Sequence, residues 1–448
     1  MKKRLLALFC AITMLIACFT GCGAPKNANA LYKKIHKAMG KLDSVESDVS
    51  MTIGFYSDGT YIDAEASGKS IRISSKDDYY YYDKITTSVQ IPGSKLVSKT
   101  VSTTAYADGN MFISNVSNDY SQKLYSPLNK KDAIEYINDH SFTLSMLEDA
   151  DVKEFTENEN GTYSLVFSEY SDEAVDDLIV AFAFDSFKFD NKIEDMKVTI
   201  NTTPEYLIDD ITIAFVFSEK PKYSRENVLS MSIDYTKYEN VEKITSGLNT
   251  EQYTKVDDVR ILDKIDELIE KRKTEKSGSF DLELKQKVSA KGESSEYTEK
   301  DEVTFGVDDN GYYYEVGALV KKDKYNITYS DGTQTTKVGT KTTTKDQTEE
   351  EAKEFITGLI DSTKYSQIYV TKITTDSNGT YLLNCSPNPE IYSAALASMG
   401  ATYSSGTQTM EVIIKDNNIT SIKCNATIKG KVQSVNVTLN IEITLTFK

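Results

Sequence analysis

Leu31, Ile35, Ala38, Met39 and Leu42 fall at helical spacing, and this apolar face predicts an opening amphipathic helix. The pattern then changes to a period of two. Stretches such as Asp48 to Ile53, or the set Tyr163, Leu165 and Phe167, alternate between apolar and polar positions and predict half-buried strands. Asp58-Gly59, Asp108-Gly109, Asn310-Gly311 and Asp331-Gly332 punctuate these runs. Such dipeptides reach positive φ at low cost, so they predict tight hairpins. Helical spacing returns at Ala352, Phe355, Ile356, Leu359 and Ile360, behind a capping box of Thr348 and Glu351. Shorter helices are predicted from Asp172 to about Ala183 and from Pro389 to Met399, with Pro389 at a helix start.

The pattern also repeats. Val152 to Tyr163 reads Val-Lys-Glu-Phe-Thr-Glu-Asn-Glu-Asn-Gly-Thr-Tyr, and Val370 to Tyr381 reads Val-Thr-Lys-Ile-Thr-Thr-Asp-Ser-Asn-Gly-Thr-Tyr. Ala133 to Ile137 matches Ala352 to Ile356, and Asp78 to Asp83 matches Asn310 to Glu315. The opening apolar set aligns with Ile261, Ile265, Leu268 and Ile269. Asp190 to Ile193 aligns with Asp416 to Ile419, which sets Val198 against Cys424. Several matches in one order predict a duplication. The expected fold class is α+β: two tandem repeats over residues 28–255 and 256–448, each an antiparallel sheet covered by a few helices.

Composition and charge narrow the function classes. Residues 1–21 hold Lys2, Lys3 and Arg4, then an uncharged run from Leu5 to Thr20, as in a secretory signal peptide. The net charge of −17 becomes −20 once those three basic residues are cleaved away, a balance that argues against nucleic acid as a partner. With 39% apolar residues, 29 Tyr and 17 Phe, the chain can still fill a core.

Gly21-Cys22 resembles the lipobox of bacterial lipoproteins, in which the cysteine after the cut is acylated and becomes the new N-terminus. The polar stretch directly after Cys22 favours it as the lipidated residue, with residues 22–27 as a tether. Cys18, preceded by Leu15-Ile16-Ala17, is the alternative, and an ordinary cleaved signal with an incidental cysteine is a third reading. Beyond this segment only Cys385 and Cys424 remain. They are open to two readings, a disulfide outside the cell or two buried thiols, the second supported by the apolar Val198 at the place matching Cys424.

Recognisable catalytic chemistry is missing from the sequence. His36 stands beside Lys33, Lys34 and Lys37 and is expected to be a solvated helix residue; His140 is expected in a cap or loop. Neither belongs to a metal-ligand or nucleophile spacing, and no cofactor motif accompanies them. Asp308-Asp309-Asn310-Gly311 lacks the later bidentate Glu of a calcium loop and is expected to be a hairpin turn. In Tyr79 to Tyr82, alternate residues point to opposite faces, so one pair is expected to pack inward and the other to cover the outer face.

The opening helix ending in Lys41-Leu42-Asp43-Ser44-Val45, the strand Asp48 to Ile53 and the exit Tyr235 to Val241 together resemble the LolA/LppX superfamily of lipoprotein carriers. Similar chains occur among surface lipoproteins of Gram-positive bacteria. The resemblance implies that each repeat is a strongly curved half-barrel whose concave face is covered by helices and takes up acyl chains. It implies no individual binding residue. The expected function is therefore a non-enzymatic lipoprotein on the outer face of the cytoplasmic membrane, binding a lipid or other amphiphile between sheet and helices. The alternative is a surface scaffold or sensor that binds a protein or a cell-wall polymer.

Overall fold

Helix α1 (Ala28–Met39) begins where the Asn27 side chain accepts a hydrogen bond from the Ala30 amide at 2.9 Å, and it buries Leu31, Ile35 and Met39. The computed structural model describes residues 25, 27–57, 59–76, 78–90, 97–118, 120–141, 144, 151–168, 170, 191–218, 225–320, 323–363, 365–376, 379–386, 396, 400–432 and 434–448. Cys18, Cys22, the signal segment and nearly all of the two predicted short helices lie outside these residues.

After α1 come β1 (Ser44–Ser57), β2 (Thr60–Ser74), β3 (Tyr79–Gln90), β4 (Val97–Ala107), β5 (Asn110–Val116) and β6 (Ser121–Pro127). Helix α2 (Lys130–Asp139) leads to β7 (Asp151–Glu157), β8 (Tyr163–Ser168), β9 (Ile193–Thr202), β10 (Ile208–Phe217), β11 (Val228–Tyr238) and the short β12 (Thr254–Lys255). The sheet they form runs β12-β6-β5-β4-β3-β2-β1-β11-β10-β9-β8-β7.

Helix α3 (Ile261–Thr274) opens the second series, β13 (Gly278–Ala290), β14 (Glu293–Asp308), β15 (Gly311–Val320), β16 (Asp323–Ser330), β17 (Thr333–Val338) and β18 (Lys341–Asp346). Helix α4 (Glu349–Ile360) is followed by β19 (Val370–Thr375), β20 (Thr380–Cys385), β21 (Thr402–Lys415), β22 (Asn418–Val432) and β23 (Val435–Phe447). The second sheet runs β18-β17-β16-β15-β14-β13-β23-β22-β21-β20-β19. The protein is thus a β-rich α+β fold with two large sheets. Counted from their opening helices, the two sheets share one strand order, apart from β12.

Local chemistry explains the predicted boundaries. Asp108 and Gly109, with φ of 51° and 75°, and Asp331 and Gly332, with 47° and 73°, turn both central residues left-handed, as a two-residue hairpin requires. At α4, Thr348 accepts from the Glu351 amide at 3.1 Å while the Glu351 carboxylate accepts from the Thr348 amide at 2.8 Å. Ala352, Ile356 and Ile360 are buried on its inner side.

The chain forms two compact units. One runs to Tyr80, resumes over Thr87–Val97 and takes in Ile137–Lys243; the other comprises Tyr81–Thr86, Ser98–Tyr136 and Ile244–Lys448. Residues 98–136, which the repeat pattern assigns to the first copy, therefore pack with the second unit. Within that unit the Val256 amide donates to the Tyr125 carbonyl at 2.8 Å, the Val259 amide to Ser126 Oγ at 3.2 Å, and Arg260 lies 3.4 Å from Asp132.

The tyrosine run departs from expectation, since Tyr79, Tyr80, Tyr81 and Tyr82 are all buried. Period-two alternation cannot reveal a face covered by a distant segment. Lys243 lies over the Tyr80 ring at 5.6 Å and pairs with Asp78 at 2.7 Å, so the stretch after β11 returns onto this strand. Among the described residues no helix is long and apolar enough to cross a membrane.

Candidate functional site

Strand β13 sits in the middle of the second sheet, and its even positions alternate onto one face. Register places Leu282 between Asp301 and Leu445, Leu284 between Glu299 and Ile443, Gln286 between Tyr297 and Ile441, and Val288 between Ser295 and Leu439. Two strands further on, Cys424 and Ala426 stand opposite Ile443 and Ile441, with Met410 and Gln408 beyond them. Phe305 follows Asp301 and Val303 at alternate positions of β14 and pairs with Tyr314 of β15. The Tyr314 ring lies 5.1 Å from Phe355 of α4, so this is the helix-covered face.

The face is closed at both ends of β13 and half open between them. Phe280, Leu282 and Leu445 are buried at one end, and Leu439 and Ile428 pack with Leu396 at the other. Leu284 and Ile443 between them are only half-buried, as are Val288 and Ile441 at the edge of the Leu396 cluster. Along β14 this apolar strip is bordered by three polar side chains. The Tyr297 hydroxyl donates to Glu299 Oε2 at 2.6 Å. That bond first, then burial and the charges of Glu299 and Asp301, pushes the Tyr297 phenol up to about 12. Asp301 is 6% exposed, and its buried Oδ1 has no hydrogen-bond partner. Burial, and secondarily the Glu299 charge, pushes its carboxyl up to about 6.

The opposite face of the same strands carries a cavity of about 480 Å³, lined by Lys285, Lys287, Glu296, Thr298, Asn425 and Asn440 among others. Its charges are closed into pairs: Lys285 with Glu442 at 2.7 Å, Lys287 with Glu296 at 2.7 Å, and Lys423 with Glu442 at 3.3 Å. The Lys285 bond to Glu442 holds that carboxyl below its ordinary value. A second cavity, of about 350 Å³, is lined by Asp257, Asp258, Arg260, Lys264, Thr375 and Tyr381. Its guanidinium is already occupied, since Arg260 makes a forked bond to Asp258, with Nη2 to Oδ2 at 2.7 Å.

Of the residues singled out from sequence, His36 is exposed on α1 with its ring 6.3 Å from that of Tyr32, and His140 is exposed in the turn after α2. The structure brings neither to the strip. Asp308 accepts from the Asn310 amide at 2.7 Å in an exposed hairpin turn. Cys385 and Cys424 are thiols outside any disulfide, half-buried and buried respectively. They stand on β20 and β22 with β21 between them, where Cys385 pairs with Gln408 and Cys424 with Met410. Neighbouring strands lie about 4.8 Å apart, so the two Cα atoms are separated by roughly 10 Å, beyond the ~7 Å limit of a disulfide. Gln408 Nε2 approaches Cys424 Sγ at 3.3 Å. Among the described residues no group of three His, Cys, Asp or Glu is placed to hold a metal ion.

Sequence reasoning passed over Tyr297, Glu299 and Asp301. The signal was the alternation Tyr297, Glu299, Asp301, Val303, Phe305, which sets two carboxylates on the same face as core residues.

No family model matches the chain, and no curated protein matches it. Solved structures align over most of its length at low identity. A doubly substituted form of the vaccine antigen transferrin-binding protein B from Haemophilus parasuis is 8% identical, with 90% of this chain and 76% of that one covered and a TM-score of 0.15. A candidate AttH protein from Nitrosomonas europaea is 7% identical, with 90% and 92% covered and a TM-score of 0.15. A protein of the DUF3598 family from Nostoc punctiforme is 8% identical, with 92% and 98% covered and a TM-score of 0.13. Scores this low carry no argument about fold or function.

Proposed function

We propose that this chain is a non-enzymatic lipoprotein, anchored through Cys22 on the outer face of a Gram-positive cytoplasmic membrane, that binds a lipid or other amphiphile between sheet and helices. The observation that carries the reading is the half-open strip of Leu284, Val288, Ile441 and Ile443 on the helix-covered face, bordered by Tyr297 and Glu299. An alkyl chain laid along such a strip completes the burial that the strip lacks, at roughly 25 cal/mol per Å² of apolar surface. A polar border gives a head group somewhere to stop. The shared strand order of the two sheets supports two tandem LolA-like half-barrels, with the strip in the second.

Uptake of the uncharged dye Nile red by delipidated protein tests the reading, because the dye brightens in apolar surroundings and carries no head-group charge. Bright binding that Ile443→Glu removes is expected. Folded protein that leaves the dye dark sinks the proposal.

A second reading keeps one specific support. The cavity of about 480 Å³ on the opposite face is lined by Thr, Asn and paired charges, chemistry suited to a hydroxyl-rich wall polymer. Retention on insoluble cell wall that Asn425→Ala and Asn440→Ala abolish would move the function to that face.

A further inference from the structure

Glu299 and Asp301 occupy successive inward positions of β14, one half-buried and the other nearly enclosed. Among the described residues neither forms an ion pair. The outer-face carboxylates of the same sheet behave differently: Glu283 takes Lys300 at 2.8 Å, Glu296 takes Lys287 and Glu442 takes Lys285. Lysines are therefore plentiful on this sheet, yet among the described residues no cation pairs with its two inward carboxylates. Enclosing an uncompensated carboxylate is costly, and the unpartnered Oδ1 of Asp301 leaves that cost standing.

The first sheet offers an internal contrast. There Met51 stands between Ala66 and Met231, a row that continues through Ile213 and Val198 to Phe167, whose ring lies 5.9 Å from Tyr32 of α1. On that helix-covered face β2 presents Ala64 and Ala66, small and uncharged. Inward acids are thus not a requirement of the strand order. At the places of β2 that correspond to them, the first sheet carries alanines.

An alkyl chain on Leu284, Ile441 and Ile443 ends beside these carboxylates, because Glu299 pairs directly with Leu284 and Asp301 with Leu282. An anionic head there would add a third negative charge beside these two, whereas an ammonium head would supply a partner. We infer that the second sheet selects amphiphiles with a cationic head, a protonated alkyl amine being the class, with Glu299 and Asp301 as the head-group ligands. This rests on the amphiphile reading above and names the ligand class of that same site.

The test uses the full mature chain made without acylation by Cys22→Ser and loaded with Nile red. Dodecylamine, dodecanoate and uncharged dodecanol compete for the dye. Dodecylamine is expected to displace it about tenfold to a hundredfold more effectively than dodecanoate, the range for a charge-assisted bond made in an enclosed site. D301N and E299Q should each reduce that preference, and the double variant should bring dodecylamine level with dodecanol. D301N removes an enclosed charge and is expected to fold. D234N, which changes the net charge by the same amount on the first sheet, should leave the preference intact. Equal displacement by amine and carboxylate, or a preference that survives D301N/E299Q, overturns the head-group inference while the amphiphile reading stands. Protein that takes up no Nile red ends both.

Discussion

Gln122 donates its side-chain amide to the Val370 carbonyl at 3.0 Å across 248 residues of chain. The same nitrogen bonds the Gln367 carbonyl at 2.6 Å, and the side-chain oxygen accepts from Asn115 at 2.7 Å, so every face of this buried amide is used. Strand β19 is the last strand of its sheet, and Gln122 ties down its first residue. Gln122→Ala would leave two carbonyls and Asn115 without this partner, at a cost of about 1–3 kcal/mol. A lower urea midpoint for the second unit is the expected result. An unchanged midpoint would mean that water replaces the amide freely.

Cys385 and Cys424 should stay reduced under oxidising conditions, because β21 separates their strands. Burial, with a smaller contribution from Cys424, pushes the Cys385 thiol up to about 12. At about pH 8 only roughly one molecule in ten thousand then carries the thiolate. Peptide mapping without reduction should find no linked pair, and iodoacetamide should label Cys385 only after unfolding. A linked peptide would contradict the register of β20 to β22.

Stability should carry a signature of Asp83. Burial pushes this carboxyl from 3.8 to about 7, and its Oδ1 is enclosed without a partner. Between those two values the folded chain holds a proton that the unfolded chain has released. The group therefore favours folding at low pH, and its contribution is lost as the pH rises through about 7. Asp83→Asn should match the wild type near pH 4 and exceed it near pH 8, by up to roughly 4 kcal/mol. Denaturation curves at the two pH values give the answer, and an equal difference at both would refute it.

What the sequence made legible was local. Thr348 and Glu351 form their capping box, Asp108-Gly109 and Asp331-Gly332 turn their hairpins, and Leu31, Ile35 and Met39 face inward, because each depends on neighbours within one turn of chain. Other features depend on partners far along the chain. Nothing near Gln122 points to Val370, and nothing near Tyr80 announces Lys243. The strip lay between these cases. Alternation put Glu299 and Asp301 on the core face, but their lack of a cation among the described residues emerges only when both sides of the sheet are in view.

Native mass spectrometry of the full mature chain, carrying Cys22→Ser and purified without detergent, tests the central claim most directly. One alkyl-bearing molecule per chain, about the capacity of a single half-open strip, is the expected load. Ile443→Glu should empty it while the chain still unfolds cooperatively in urea, since Ile443 is only half-buried. A wild-type chain that is folded but empty, or an Ile443→Glu chain with the same load, would contradict binding between sheet and helices.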